Sequence, residues 1–191
     1  MCMNDYSGYS LIELLITLTV LSIVLAMGVP SVVSWVRAME VRSSAESLRS
    51  ALQRARAEAV ARNTRVRISL SNATGNPGWN VTCVNAAAVC PASLLSHTIE
   101  TNNLIRWGAS LLADSSTMTT ALKAGAALPA TIDFFPLGDA PQITGGTDIA
   151  RVDVIHSASA DDVRLIVRID GAGKIRLCNP SRPTDHPEAC H

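Results

Sequence analysis

The chain has 191 residues, 48% of them hydrophobic but only 4% aromatic, and its sixteen lysines and arginines balance sixteen aspartates and glutamates. That balance excludes a whole-chain attraction to nucleic acid or to acidic surfaces, so any argument from charge has to be local. The length suits a membrane span plus one domain of about 120 to 130 residues rather than two full domains, and the shortage of aromatics gives no sign of a large aromatic-lined pocket.

Residues 14–36 carry no charged side chain, a run longer than the ~20 residues a helix needs to cross a bilayer. An ordinary secretory signal has a basic start and a shorter apolar core, whereas this chain starts Met1-Cys2-Met3-Asn4-Asp5-Tyr6-Ser7-Gly8, without Lys or Arg. The apolar run is therefore expected to stay in the mature protein. Glu13 stands at its edge, where a carboxylate drawn into hydrocarbon costs about 2.5–3.5 kcal/mol. On physics alone, Glu13 is either the last interfacial residue or a charge in need of a partner.

The order Gly8-Tyr9-Ser10-Leu11-Ile12-Glu13-Leu14-Leu15-Ile16 resembles the class III signal of type IV pilins and pseudopilins. The resemblance implies that a prepilin peptidase cuts between Gly8 and Tyr9 at the cytoplasmic face and methylates the new amino terminus. It also implies that Glu13 pairs with the methylated amine of a neighbouring pilin or pseudopilin in a filament. Two features depart from the pattern: Tyr9 stands where phenylalanine is usual, and the leader has no basic residue. Arg37 and Arg42, beyond the far end of the span, run against the positive-inside rule. The expected orientation, a single pass of the inner membrane with the domain in the periplasm and then in a pilus or pseudopilus, rests on the resemblance.

Gly28 and Pro30 interrupt the apolar run, and a bend or local unwinding is expected there. Beyond them Val41, Ala45, Leu48, Leu52, Ala55 and Ala59 recur at spacings of three and four, one apolar stripe that should pack on a globular domain. Arg37, Arg42, Arg49, Arg54, Arg56 and Arg62 lie mostly off the stripe among Glu40, Glu46 and Glu58, which makes local pairings available. The pattern turns to alternation after Asn63, so one helix over residues 10–62 is predicted.

Strands are predicted over residues 65–71, 79–84, 96–101, 131–135, 151–156, 163–169 and 174–178, separated by Gly, Pro, Asn and Asp clusters. Asn76-Pro77-Gly78 reads as a turn and Asp170-Gly171-Ala172-Gly173 as a hairpin. Residues 104–128 show no clean period and are expected to be a variable loop. Of five cysteines, Cys2 stands apart. The other four permit three pairings, and the sequence-local one, Cys83 with Cys90 and Cys178 with Cys190, is expected because each closes a short loop. Paired cysteines imply an oxidising compartment.

The helix, the strand after it, then Phe134-Phe135-Pro136-Leu137-Gly138 and Asp170-Gly171-Ala172-Gly173-Lys174-Ile175-Arg176-Leu177-Cys178 resemble the GspH/FimT family of minor pilins and pseudopilins. The resemblance implies an α+β, pilin-like fold: a long N-terminal helix, transmembrane then amphipathic, packed on a C-terminal antiparallel β-sheet domain. The expected division is a leader (1–8), a transmembrane and assembly helix (9–36), an amphipathic helix (37–63) and a β-rich domain (64–191).

Catalytic and cofactor motifs fail on their spacing. Gly171-Ala172-Gly173-Lys174 is no phosphate loop, since Arg168 stands where glycine and Ile175 where Ser or Thr is needed. His97, His156, His186 and His191 are scattered, and neither a G-x-S-x-G elbow nor an H-E-x-x-H helix occurs. A zinc site of Cys178, His186, Cys190 and His191 is less simple than a disulfide closing the tail. No enzyme activity and no cofactor are expected. Lys174, Arg176 and Arg182, with Arg164 and Arg168 on the preceding strand, form the one basic cluster worth a ligand. In the FimT branch a G-R-x-R motif is associated with DNA, and Gly173-Lys174-Ile175-Arg176 resembles it with Lys for the first Arg. The resemblance thus implies double-stranded DNA as a candidate partner through phosphate contacts; the bland reading is a solvated strand flanked by Asp161, Asp162 and Asp170. A minor pilin of a type IV pilus is the leading expectation. A type II secretion pseudopilin, and a single-span membrane protein with a β-rich periplasmic binding domain, are the alternatives.

Overall fold

The computed structural model describes residues 10–71, 77–85, 90–98, 104–110, 130–140, 151–157 and 163–190. They form one helix, α1 (Leu11–Arg62), and eight strands: β1 (Val66–Ser71), β2 (Gly78–Cys83), β3 (Leu95–Thr98), β4 (Ile105–Ser110), β5 (Ala130–Phe134), β6 (Arg151–His156), β7 (Arg164–Ile169) and β8 (Ile175–Cys178). Gly8, Tyr9, Asn76, Asp161, Asp162 and His191 lie outside the described residues. The chain divides into two compact units, Met1–Arg37 and Ala38–His191.

The first unit is the stem, the part of α1 that ends at Arg37. It begins at Ser10, whose carbonyl accepts the N–H groups of Glu13 at 3.0 Å and Leu14 at 3.2 Å. Its large apolar side chains, among them Leu14, Leu18, Leu21, Leu25 and Val29, are exposed, and the helix is long and apolar enough to cross a membrane. The hydroxyls in this surface fold back on the helix. Thr17 donates to the Leu14 carbonyl at 2.9 Å, Thr19 to Ile16 at 2.8 Å, Ser22 to Leu18 at 2.7 Å and Ser34 to Ser31 at 2.8 Å. Hydroxyls satisfied in this way place no polar demand on an apolar surrounding. The helix runs unbroken through Gly28 and Pro30, so the unwinding expected there is not present. Proline takes one N–H from the ladder, and the bonds on either side continue.

In the second unit, Val41, Ala45, Leu48, Leu52, Ala55 and Ala59 are all fully buried, and Ala51 joins them. This is the stripe that the spacing predicts. Away from the stripe the helix carries ion pairs, Arg42 with Glu46 at 3.0 Å and Glu58 with Arg62 at 2.6 Å, contacts worth only about 0.3–0.5 kcal/mol each. α1 ends in a Schellman motif. Asn63 adopts φ 49°, the Thr64 N–H returns to the Ala59 carbonyl and the Asn63 N–H to Val60, both at 3.2 Å. Asparagine tolerates this left-handed position better than most residues.

The strands make two antiparallel four-stranded sheets, in the orders β3-β2-β1-β5 and β4-β6-β7-β8. Each sheet turns one face to the core. Val66, Ile68, Leu70, Val81, Ile132 and Phe134 come from the first, and Ile105, Trp107, Val152, Val154, Val167 and Ile169 from the second. These meet the helix stripe in one cluster, each large side chain contributing about 1.5–3 kcal/mol by its burial.

One expectation is corrected here. Residues 104–128 are not loop throughout, because β4 (Ile105–Ser110) forms the edge of the second sheet, pairing with β6 along its whole length. Trp107 anchors it, fully buried with its indole N–H donating to the Ser44 hydroxyl of α1 at 2.9 Å. The expected disulfides are formed, Cys83–Cys90 and Cys178–Cys190, with Cα atoms 5.9 Å and 5.0 Å apart. The second closes residues 179–190 into a loop against β8, where Asn179 bridges Ala189 and its N–H reaches the Glu188 carbonyl at 2.7 Å.

Candidate functional site

At the stem, Glu13 is exposed in the first turn of α1, where the positive end of the helix dipole favours a carboxylate. Among the described residues it is the one acidic side chain of that unit. The local sequence explains its backbone. Ser10 sits at the N-cap with Glu13 three residues on, the spacing of a capping box.

The basic residues occupy the face of the second sheet opposite the core. Register places Arg151 of β6 opposite Arg168 of β7, and Arg168 opposite Arg176 of β8, so three arginines stand in one row. Like charges in direct opposition are unfavourable, and Arg151, at one end of the row, is paired with an acid on its own strand. Asp153, fully buried, accepts from Arg151 Nε at 2.8 Å and Arg164 Nε at 2.8 Å. Arg164 is only 12% exposed, so it serves this internal network rather than the surface. Lys174 and Arg176 are exposed on one face of the hairpin arm, two residues apart. The Lys174 N–H donates to the Asp170 carboxylate at 2.8 Å, and the Gly173 N–H to the Asp170 carbonyl at 2.9 Å. Arg182 is exposed on the loop closed by Cys178–Cys190. Arg106 of β4, on the same sheet face across from Ile155, is a cation that sequence reasoning missed together with its strand.

The two late motifs meet in space. The Gly138 carbonyl, after β5, accepts from Arg56 Nε of α1 at 2.7 Å, and the Ala140 N–H reaches the Gly171 carbonyl at 3.0 Å. Gly173 packs so closely here that a Cβ on it would lie 1.9 Å from the Gly138 oxygen, and both glycines have positive φ, 72° and 79°. The helix, the end of the first sheet and the hairpin of the second are joined at this point.

Asp133 of β5 makes a second ion cluster on the outer face of the first sheet. Its side chain is 2% exposed and accepts from Arg67 Nε at 2.6 Å, Arg67 Nη2 at 2.8 Å and Arg65 Nε at 2.8 Å. Burial works against its ionisation, but the hydrogen bonds and charges of Arg67 and Arg65 outweigh it and hold the carboxyl below its ordinary range. A depressed carboxyl adds stability above its unfolded pKa and loses it as pH falls through the folded value. The urea midpoint of the unit Ala38–His191 should accordingly decline below about pH 4, and Asp133→Asn should flatten part of that acid limb. An unchanged limb in the variant would show that this cluster is not the source.

No group of three or more metal-binding side chains occurs among the described residues. No curated protein sequence matches the chain significantly. Two crystal structures of the type IV minor pilin FimU of Pseudomonas aeruginosa resemble it at 20% identity. One alignment covers 80% of this chain and 96% of that one with a TM-score of 0.45; the other covers 78% and 99% with 0.44. The family profile described as "Prokaryotic N-terminal methylation motif" matches residues 3–29, the stretch around Gly8, Tyr9 and Glu13. The profile described as "Type II transport protein GspH" matches residues 44–184, well over half of the chain and containing the stripe from Ala45 onward, both sheets and both glycine motifs. The chain belongs to the GspH family.

Proposed function

We propose that this protein is a minor pilin, a non-enzymatic subunit that a prepilin peptidase cuts after Gly8 and methylates on Tyr9, and that then passes from the inner membrane into a filament of other pilins. The observation that carries the reading is the stem, an exposed apolar helix with one carboxylate, Glu13, in its first turn. Glu13 would pair there with the methylated amine of the next subunit. The match to the N-terminal methylation motif supports this processing. The test is to shear filaments from cells producing the chain and probe for it. Its presence at a mass lacking residues 1–8 is expected, and its retention in the membrane at full mass would overturn the reading.

The family's description as a type II transport protein favours a second reading, a pseudopilin of a short periplasmic filament. The two part on which filament holds the subunit: surface pili in the first, a secretion apparatus in the second.

Within the pilin reading, we further propose double-stranded DNA as a ligand of Lys174 and Arg176, with Arg168 opposite Arg176 and Arg182 on the adjoining loop. Phosphate contacts of this kind are indifferent to sequence and weaken steeply with salt. For the unit Ala38–His191, duplex binding at low salt is expected. Lys174→Ala and Arg176→Ala should each weaken it and lower the salt slope by about one. Absence of binding by the unsubstituted unit at low salt would sink the proposal.

A further inference from the structure

Leu137 is 90% exposed, yet it does not stand on a loose loop. It sits at the tip of a turn closed by the Gly138 N–H on the Phe135 carbonyl at 2.8 Å and the Phe135 N–H on the Asp139 carbonyl at 2.9 Å. Arg56 holds the Gly138 carbonyl, and Gly173 packs against it from the other side. Beside it, Val60 of α1 comes within 3.3 Å of where a Cβ on Gly138 would lie. Val60 is itself 52% exposed. Ala57 and Ala61, exposed on the same helix turn, continue the patch with side chains small enough to let another helix approach closely. Outside the stem unit, the exposed large hydrophobics among the described residues are Met39, Val60, Leu104 and Leu137, and two of these four adjoin here. A rigid turn that presents a leucine to solvent forgoes its burial in the subunit but loses little entropy when a partner covers it.

We propose that Leu137, flanked by Pro136 and Val60, is a docking knob for the apolar stem helix of a neighbouring filament subunit; this rests on the filament reading above. The stem is the extensive exposed apolar surface among the described residues, and residues 14–36 carry no charge that would need a partner at the contact. Among the described residues of the unit Ala38–His191, the other exposed large hydrophobics are single side chains, Met39 and Leu104, so the described surface of a neighbour's domain offers the knob no extended apolar match. Knob and stem are different surfaces. A contact between unlike surfaces of successive subunits is heterologous, and such contacts extend into a helical array instead of closing a dimer.

The test places a benzophenone-bearing phenylalanine at position 137 of the full chain, irradiates intact filaments and sequences the cross-linked peptides. An adduct to residues 9–36, or to the equivalent apolar N-terminal helix of another subunit, is the expected result. Adducts confined to β-domain peptides, or none from filaments that contain the chain, would overturn the knob while leaving the filament reading in place. Absence of the chain from filaments would overturn both. In parallel, Leu137→Ser should leave the Tm of the full chain unchanged and reduce incorporation into filaments roughly tenfold. Incorporation at the unsubstituted level would contradict the proposal.

Discussion

Replacing Gly173 by alanine should lower the stability of the unit Ala38–His191 by about 2–5 kcal/mol, a Tm drop of roughly 5–15 °C. Two costs act together. The residue has φ 72°, a conformation in which an L side chain is strained by about 1–2 kcal/mol, and the added Cβ would stand 1.9 Å from the Gly138 oxygen and 3.0 Å from its carbon. Those are backbone atoms, so relief requires the turn after β5 to move away from the β7–β8 hairpin. That displacement also pulls the Gly138 carbonyl from Arg56. Gly171→Ala is the matched control, since a Cβ there meets nothing within 4 Å and its cost should be within about 0.5 kcal/mol. Equal midpoints for the two variants in urea would show that the close approach does not hold the sheets and helix together.

Glu13→Leu should insert into the membrane at least as well as the unsubstituted chain, because it removes a carboxylate that costs about 2.5–3.5 kcal/mol in hydrocarbon. Its incorporation into sheared filaments should nevertheless fall at least about 30-fold. Truncating one partner of a desolvated charge pair costs about 2–5 kcal/mol, largely because the other charge is left alone. The opposite signs of these effects separate the two readings of the residue. An interfacial glutamate with no partner predicts that Glu13→Leu assembles as well as the original, and that outcome would remove Glu13 from the assembly mechanism.

The helix was legible because its information is local. Val41, Ala45, Leu48, Leu52, Ala55 and Ala59 repeat at the helical period, and all six are fully buried. The same holds for the helix end, where Asn63 takes the left-handed cap just as the chain turns to alternation. β4 was not legible. Ile105-Arg106-Trp107-Gly108-Ala109-Ser110 contains two residues depleted in strands, and it is a strand because Trp107 enters the core and β6 pairs along it. The division into two sheets is hidden for a similar reason. β1 pairs with β5 across more than fifty intervening residues, and nothing in either segment names the other.

The candidate site divides in the same way. Alternation puts Arg164 and Arg168 on one strand face, as it does Lys174 and Arg176, but burial decides their roles. Arg164 is drawn to Asp153 inside the sheet, a partner that the pattern Arg151-Val152-Asp153 places on one face without revealing its depth. The two glycine motifs could be read only as an order along the chain. Their purpose lies in the contact between Gly138 and Gly173, which sequence spacing does not express.

A cut after Gly8 and a methylated amine that would meet Glu13 are the two events on which assembly depends, and mass spectrometry of the N-terminal peptide from the chain purified out of its native membrane or filaments reads both directly. A peptide beginning at N-methylated Tyr9 and continuing Ser10-Leu11-Ile12-Glu13 is the predicted result. A chain that retains Met1 to Gly8, or one cut elsewhere so that the apolar stem is lost, would contradict it.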